Sequence, residues 1–267
     1  MTILVTGATG TTGSRVAAKL RARGADVRAV SRSTAVPFDW HDAGTYGPVV
    51  AGVDRVYLVA PVGVADPSPQ FDRFLADAVA AGVRRVVLLS SDVTPESTPG
   101  LDLIRHAVRR MPEWAVLRPS WFMQNVVNEH WLAVGIRERQ EMITATGDAR
   151  LGFVDADDIA AVAVELLLTD EPVADDYVLT GPEALSYADL AALLTESGRP
   201  ARHVPVTVDQ YVAHLTAQGV PPEFATGLGE VELQVRGGFE DRVTDTVERV
   251  TGRPPRSYRE FLACRQD

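Results

Sequence analysis

The chain has 267 residues, of which 46% are hydrophobic and 23% charged, so its length allows one large globular domain or a domain with a substantial extra lobe. The 26 basic and 36 acidic residues give a formal net charge of −10, which disfavours binding to the phosphate backbone of nucleic acids. No apolar run approaches the roughly 18 residues that cross a bilayer. We therefore expect neither a nucleic acid nor a membrane as a partner.

The first residues and the single cysteine bear on location and redox chemistry. No basic leader precedes an apolar stretch at the amino terminus, so we expect no signal peptide and a cytoplasmic protein. Cys264 is the only cysteine, which excludes an intramolecular disulfide and a cysteine-based zinc cluster. The five histidines show no H-x-x-x-H spacing, and no metal site is predicted. Any redox chemistry is therefore expected to come from a bound cofactor.

Short apolar strands alternate with helices over the first half of the sequence. The predicted strands are TILVT, ADVRAVS, DRVYLVAP, RRVVLLSS and EWAVLRP. Helices are predicted over residues 12–23, in a short stretch that ends at Ala51, and over 71–81, 101–110 and 121–134. This alternation is typical of a parallel sheet covered on both faces, and right-handed crossovers make such a sheet doubly wound. The predicted fold class is therefore α/β with a Rossmann-type sheet.

After about residue 140 the strands become shorter and less apolar. The strand candidates are MITAT, LGFV and DDYVLT, and helices are predicted over 156–168, 187–197, 208–217, 222–235 and 258–263. We predict a Rossmann domain over residues 1–140, completed by the strands and helix of residues 142–180. Residues 181–267 are expected to form a smaller, mostly helical lobe on the substrate side that is not an independent domain.

Residues 7–13, GATGTTG, form a G-x-x-G-x-x-G turn between the first predicted strand and the first predicted helix. Gly7 permits a tight turn, Gly10 lets the backbone approach a pyrophosphate, and Gly13 lets the helix pack on the strand. Backbone N–H groups and the positive end of the helix would then meet the phosphates. The turn predicts a dinucleotide cofactor, with a simple glycine-rich turn as the alternative.

The end of the second strand, AVSRS, indicates which dinucleotide. Proteins that bind NAD usually carry an acidic residue here, but Asp26 comes too early for that role. Ser31, Arg32 and Ser33 occupy the place of a 2′-phosphate, which arginine binds through two hydrogen bonds and serine through one. We therefore predict NADP(H), with a solvated arginine as the alternative.

Ligands of open parallel sheets lie outside the carboxyl ends of the strands. Three predicted strands end in small or proline-containing segments that would let the nicotinamide and its ribose come close. These segments are Ala60-Pro61-Val62, Ser90-Ser91-Asp92 and Arg118-Pro119-Ser120-Trp121-Phe122. Ordinary turns at strand ends are the alternative interpretation.

The proton donors of ordinary ketone reductases are missing. Many such enzymes use Tyr-x-x-x-Lys, in which the lysine lowers the pKa of the tyrosine. Lys19 is the only lysine, and no tyrosine stands four residues before it. His106 is a possible acid, although a structural histidine is the more usual case. The carboxylates Asp155, Asp157 and Asp158 precede an apolar helix, where aspartates commonly act as caps.

Long segments resemble the NmrA-like, atypical short-chain dehydrogenase/reductase family, and in particular its branch of ergot-alkaloid festuclavine and agroclavine dehydrogenases. The matching segments run from Thr6 to Phe261. They are TGATGTTGSRVA, VSRS, FDWHD, VYLVAP, GVRRVVLLSS, VLRPSWFMQN, TATGDARLGFVDADDIA, YVLTGPEALSYADLA and TGRPPRSYREF.

The resemblance implies that NADPH binds through six residues of the glycine turn, which are Gly7, Thr9, Gly10, Thr11, Thr12 and Gly13. It implies that Phe38, Asp39 and Trp40 lie near the adenine, and that the Ala60-Pro61 and Pro119 turns lie near the nicotinamide. Trp121, Phe122 and Asn125 match the stretch that borders the substrate pocket. Asp92 is the candidate for a negative group in that pocket because of its location.

Alkaloid-forming members of the family reduce a cyclic iminium. An iminium carbon that accepts hydride gives a neutral amine directly, so the missing proton donor is compatible with this chemistry. We predict an NADPH-dependent reductase of an imine, an iminium or another activated double bond in a small metabolite. The alternatives are a quinone or enone reductase, and a non-catalytic NADP(H) redox sensor such as some NmrA-like proteins are.

Overall fold

The structure, a computed structural model, describes residues 1–61, 66–92 and 101–264. Its contacts divide the chain into two units that are interleaved in sequence. The first, here called the sheet unit, comprises Met1–Pro119, Ala156–Leu179 and Thr246–Gly252. The second unit comprises Ser120–Asp155, Thr180–Asp245 and the residues from Arg253 onward.

The strands of the described residues are β1 Thr2–Val5, β2 Asp26–Ala29, β3 Arg55–Val59, β4 Arg85–Leu89, β5 Glu113–Pro119, β6 Glu141–Thr144, β7 Arg150–Leu151, β8 Ala174–Leu179, β9 Leu185–Ser186 and β10 Arg202–Pro205. The helices are α1 Gly13–Ala22, α2 Tyr46–Val50, α3 Ser68–Ala80, α4 Leu101–Val108, α5 Trp131–Arg139, α6 Ala156–Leu168, α7 Tyr187–Glu196, α8 Val208–Ala217, α9 Pro222–Arg236, α10 Thr246–Thr251 and α11 Tyr258–Ala263. In the part of the chain that the structure describes, no helix is long and apolar enough to cross a membrane.

The sheet unit contains a six-stranded sheet in the order β2-β1-β3-β4-β5-β8. Every neighbouring pair is parallel, which confirms the predicted doubly wound fold class. The sixth strand is β8, the DDYVLT segment, which pairs with β5 from Trp114 opposite Ala174 to Pro119 opposite Leu179. The central strands β3 and β4 are buried almost throughout, as expected for strands covered on both faces.

The helices of the sheet unit pack as two groups. Helices α2, α3 and α4 pack in sequence and share one apolar core with β1, β3 and β4. Helices α1 and α6 pack on each other, and α10 packs on α6. Helix α10 was not among the helices predicted from the sequence.

Two differences from the sequence-based expectation have a clear local cause. The predicted helix over 121–134 is divided into a 3-10 turn, Met123–Val126, and α5, because His130 caps α5 by accepting a hydrogen bond from the backbone nitrogen of Leu132 at 3.2 Å. Of residues 142–180, which were expected to complete the Rossmann domain, α6 and β8 lie in the sheet unit. Strands β6 and β7 lie instead in the second unit, where β6 pairs with β10.

Candidate functional site

The candidate site lies at the carboxyl edge of the sheet. Strand order reverses between β1 and β3, and such a reversal leaves a crevice at the carboxyl ends of the strands. Because all six strands are parallel, the segments that follow β1 to β5 reach the same edge. Most residues predicted to hold the cofactor stand in these segments, all within the sheet unit.

The glycine turn has a steric reason for each glycine. Gly7 has a φ of +60°, a left-handed conformation that L side chains rarely adopt. A Cβ on Gly13 would lie 2.2 Å from the carbonyl oxygen of Gly7, so α1 could not start where it does. Gly10 is exposed, and its nitrogen donates to the same oxygen at 2.9 Å. The turn therefore presents bare backbone at the amino end of α1.

The other predicted members of this turn are threonines. Thr9 is exposed, Thr11 is half-buried, and Thr12 is the buried N-cap residue of α1. The side chain of Thr12 makes no capping hydrogen bond. Thr12 therefore does not cap the positive end of α1 with its side chain. Helix amino ends of this kind commonly bind anions.

The segment after β2 is a small loop of hydroxyl groups beside an arginine. The hydroxyls of Ser31 and Ser33 lie 3.2 Å apart, and Thr34 Oγ1 accepts a 2.8 Å hydrogen bond from the backbone nitrogen of Ser31. Arg32 is exposed and forms no ion pair with the described residues. The loop therefore offers an exposed cation and two hydroxyl groups at one place.

The Phe-Asp-Trp segment divides between core and surface. Phe38 is 4% exposed and belongs to the apolar core, where its ring lies 4.9 Å from that of Trp40. Trp40 stacks on Phe71 at 4.5 Å and donates its indole N–H to the carbonyl of Val59 at 3.2 Å. Burial thus limits what Phe38 can offer a ligand, and half-buried Asp39 is the charged group of the segment.

The segments after β3, β4 and β5 complete the edge. Ala60 and Pro61 are half-buried, Pro119 is buried, and the prediction at Val62 lies outside the described residues. The nitrogen of Ser90 donates to the carbonyl of Leu117 at 2.8 Å, so the turn after β4 starts as an extension of the sheet.

Asp92 differs from the expectation of a negative group in a pocket. It is fully buried, and its Oδ1 lies 3.0 Å from Nη2 of Arg118 on β5. Its nitrogen donates to the carbonyl of Pro119 at 2.9 Å. Its charge is therefore balanced inside the sheet unit, and a role as the anion that attracts a cationic substrate loses its support.

The residues predicted to border the substrate pocket lie in the second unit. Trp121 and Phe122 run beside Val154, whose nitrogen donates to the Trp121 carbonyl at 2.9 Å. Trp121, Phe122 and Asn125 are half-buried, whereas Met123 and Gln124 between them are buried. The indole nitrogen of Trp121 is buried without a hydrogen-bond partner among the described residues. This stretch thus has two half-buried aromatic side chains and a buried indole donor.

Other candidates from the sequence have structural partners. The side chain of His106 is 60% exposed, and its Nδ1 lies 2.9 Å from the Asp102 carbonyl on the same helix. Lys19 binds Asp157 at 2.9 Å within the sheet unit. In the second unit, Asp155 accepts from Gln124 and from Arg256, both at 2.6 Å.

Sequence reasoning missed the arginines that hold the turn after β4. Arg105 donates from Nε to Ser90 Oγ at 2.9 Å and from Nη2 to the Ser91 carbonyl at 2.8 Å. The sequence could have pointed to Arg118, because it is a charged residue within the apolar strand VLRP and a buried charge requires a partner. No comparable signal marked Arg105, which lies on a helix where arginines are common.

Sequence comparison finds relatives over nearly the whole chain. Residues 3–100 match the NAD dependent epimerase/dehydratase family. The chain is 43% identical to the uncharacterized oxidoreductase YesF of Bacillus subtilis (strain 168), covering 98% of this chain and 94% of that protein. It is 32% identical to the agroclavine dehydrogenase of Claviceps fusiformis, over 98% of this chain and 96% of that protein. It is also 32% identical to the NAD(P)H azoreductase of Xenophilus azovorans, over 97% of this chain and 96% of that protein.

Solved structures share the fold over the full length. A nucleoside-diphosphate-sugar epimerase from Staphylococcus aureus matches with a TM-score of 0.83 at 18% identity, over 98% of this chain and 99% of that chain. The NADPH-dependent quinone oxidoreductase of Escherichia coli, in complex with NADPH, matches with a TM-score of 0.83 at 21% identity over 100% of both chains. At these identities the likeness establishes the fold.

Proposed function

This chain belongs to the NmrA-like, atypical short-chain dehydrogenase/reductase family, and we propose that it is an NADPH-dependent reductase that transfers hydride to an imine, an iminium or another activated double bond of a small metabolite. Its relatives at 32–43% identity are named as oxidoreductases, which supports the general reaction class. The observation that carries the proposal is the glycine turn at the point where strand order reverses, together with exposed Arg32 at the end of the adjacent strand.

The residues present fit a dinucleotide. At Gly13 an added Cβ would collide with backbone, and at Gly10 it would lie 3.3 Å from the Gly7 carbonyl in a turn that is otherwise open to solvent. The backbone of this turn, with Thr9, Thr11 and Thr12, would hold the pyrophosphate. Ser31, Arg32 and Ser33 would hold the 2′-phosphate through charge-assisted hydrogen bonds. Bound NADPH would supply the hydride.

The remaining edge residues would orient the two rings of the cofactor. Asp39 and Trp40 would face the adenine side. The nicotinamide side would be formed by the ends of the three central strands, at Ala60, Pro61, Ser90, Ser91 and Pro119. These groups are small or held by backbone hydrogen bonds, so they favour a single bound geometry.

With an iminium substrate the proposed chemistry needs no proton donor from the protein, and a neutral imine would first take a proton from solvent to become an iminium. Lys19 is bound to Asp157, and His106 is largely exposed and bonded to its own helix, so neither supports a proton relay. Addition of hydride to an iminium carbon forms a C–H bond and moves the C=N electron pair onto nitrogen, which becomes neutral. The protein's contribution is then position and apolar walls, for which Trp121 and Phe122 are the candidates, with Asn125 as a polar neighbour.

Nicotinamide absorbance tests the proposal directly. Purified protein and NADPH are offered N-methyl-3,4-dihydroisoquinolinium, a neutral cyclic imine, menadione and cyclohexenone, with NADH as the control reductant and Gly10→Ala as a matched variant. We expect turnover of the iminium or the imine with NADPH, and loss of NADPH binding in the variant. Turnover of menadione or cyclohexenone alone would move the assignment to a quinone or enone reductase. Tight NADPH binding without any turnover would favour the redox sensor.

A further inference from the structure

Arg105 lies on α4 with only 1% of its surface exposed. Its guanidinium forms two hydrogen bonds to the turn after β4, at 2.9 Å to the hydroxyl of Ser90 and at 2.8 Å to the carbonyl of Ser91. A planar guanidinium offers its donors in a rigid fork, so these two bonds set both the distance and the orientation of the turn. One side chain therefore holds two successive residues at the edge of the sheet.

The same turn is held from β5 as well. The nitrogens of Ser90 and Asp92 donate to the carbonyls of Leu117 and Pro119 at 2.8 and 2.9 Å. The Asp92 carboxylate lies 3.0 Å from Arg118. The backbone of the turn is thus bonded to β5, whereas Arg105 binds the Ser90 side chain and the Ser91 carbonyl from a helix.

A buried guanidinium is a costly way to fill space. Moving a charge out of water is unfavourable, and an apolar side chain of similar volume commonly gives equal or greater stability. What an apolar side chain cannot do is hold Ser90 and Ser91 in one orientation. The position therefore points to geometry at the carboxyl edge as the purpose of Arg105.

We infer that Arg105 is a positioning residue for hydride transfer, which it serves by holding Ser90 and Ser91 where the nicotinamide end of the cofactor is proposed to lie. The inference rests on the proposed function. Arg105 exchanges no proton and no electron, because it acts through the turn. The rate of hydride transfer depends steeply on the distance between the two carbons, and a displacement of about 1 Å costs about 100-fold in rate.

Affinity and rate are expected to respond differently. The residues proposed to bind the phosphates stand after β1 and β2, on other strands than Ser90 and Ser91. Loss of Arg105 therefore leaves most of the binding contacts in place and disturbs the reacting end. A purely structural arginine would instead lower thermal stability without separating the rate from the affinity.

The experiment compares Arg105→Lys, which keeps the charge without the fork, and Arg105→Ala, whose cavity can admit free guanidinium. Arg110→Lys is the control, because Arg110 follows α4 with 71% of its side chain exposed and pairs only at 3.3 Å with Asp72. Three quantities are measured: the melting temperature, the NADPH dissociation constant by fluorescence, and the single-turnover rate with the substrate that the panel above selects. Deuterium at C4 of NADPH reports whether hydride transfer limits that rate.

We expect Arg105→Lys to bind NADPH within about threefold of the wild type and to transfer hydride about 100-fold more slowly, with a full isotope effect. Added guanidinium should restore part of the rate of Arg105→Ala, and Arg110→Lys should match the wild type. Because Arg105 acts through Ser90, the double variant Ser90→Ala/Arg105→Lys should lose much less than the product of the two single losses.

An unchanged rate in Arg105→Lys, losses of affinity and rate by the same factor, or fully multiplicative losses in the double variant would overturn the inference. If Arg105→Ala does not fold, Arg105→Lys and the double variant decide alone. A wild-type protein that neither binds NADPH nor transfers hydride would overturn the proposed function and this inference together. An active wild type with unaffected Arg105 variants would overturn the inference only.

Discussion

The carboxylate of Glu232 on α9 accepts a 2.6 Å hydrogen bond from the backbone nitrogen of Ala145, directly after β6. The backbone of Thr146 and the hydroxyl of Tyr211 also bond to it. Glu232 is only 3% exposed, and this burial raises the pKa of its carboxyl to about 7 despite those hydrogen bonds. The group therefore joins α8, α9 and the end of β6 while it carries a titratable charge in an apolar setting.

The contribution of Glu232 to stability is expected to fall as the pH rises from about 4.5 to about 7, and to change little above that. The pKa of Glu232 in the folded protein exceeds the ordinary value of 4.5, so its stabilising contribution is complete below that pH and is lost as the pH rises through about 7. With about 1.4 kcal/mol per pKa unit, the loss is on the order of 3 kcal/mol. Glu232→Gln should remove this pH dependence and make the protein more stable than the wild type at about pH 9.

Thermal melting across the range from about pH 4 to about pH 9 measures this effect, because most of the loss falls between about pH 4.5 and about pH 7. Glu230→Gln is the matched control, because Glu230 is an exposed residue of the same helix. A wild-type melting temperature that does not fall with pH, or a Glu232→Gln variant with the same slope, would contradict the prediction.

Arg32→Glu should change the choice of cofactor. The substitution removes the cation proposed to bind the 2′-phosphate and puts a negative charge in its place. We expect NADPH affinity to fall about 10- to 150-fold, the range for losing a hydrogen bond to a charged group, while NADH affinity stays the same. Fluorescence titration of both cofactors measures the ratio, with Arg110→Glu as the control for net charge. Equal weakening of NADPH and NADH would remove Arg32 from the 2′-phosphate site.

His106→Ala should leave catalysis intact. The imidazole is largely exposed and bonded to Asp102, and the proposed hydride transfer to an iminium needs no acid. We expect kcat/KM for the accepted substrate to stay within about twofold of the wild type, since a lost general acid would lower it by about 100-fold or more. Steady-state kinetics of both proteins at the same pH measure this. A loss of that larger size would show that His106 donates a proton.

Arg85→Ala should destabilise the protein far more than Arg84→Ala, although both arginines bond to Glu113. Arg85 is 1% exposed and donates to the carbonyls of Leu166, Thr169 and Glu171 at 2.7 to 2.8 Å, so it caps the carboxyl end of α6. Removing a buried, hydrogen-bonded partner typically costs about 3–5 kcal/mol.

The matched variant shows why burial decides the outcome. The side chain of Arg84 is 69% exposed, and exposed ion pairs contribute about 0–1 kcal/mol. Urea unfolding of both variants gives the two free energies. A difference of less than about 1 kcal/mol between them would mean that the carbonyls at the end of α6 are satisfied without Arg85.

The sequence determined the sheet and the glycine turn, because both depend on local signals. Apolar runs such as RVYLV and RVVLL can be buried only as strands covered on both faces, and Gly7 and Gly13 occupy places where any side chain would strain or collide. The cofactor preference could also be predicted from the sequence, because Ser31, Arg32 and Ser33 stand at the end of a predicted strand. Each of these features is encoded within a few consecutive residues.

Tertiary structure decided how distant residues are paired. Local pattern could not tell that β6 pairs with β10 instead of the main sheet, or that Asp92 is buried and forms an ion pair with Arg118. The contacts of Arg105 with Ser90 and of Glu232 with Ala145 join residues 15 and 87 positions apart. Hydrogen bonds and burial of this kind depend on which surfaces meet once the core has formed, and the free energy of burying a charge decides which partners they require.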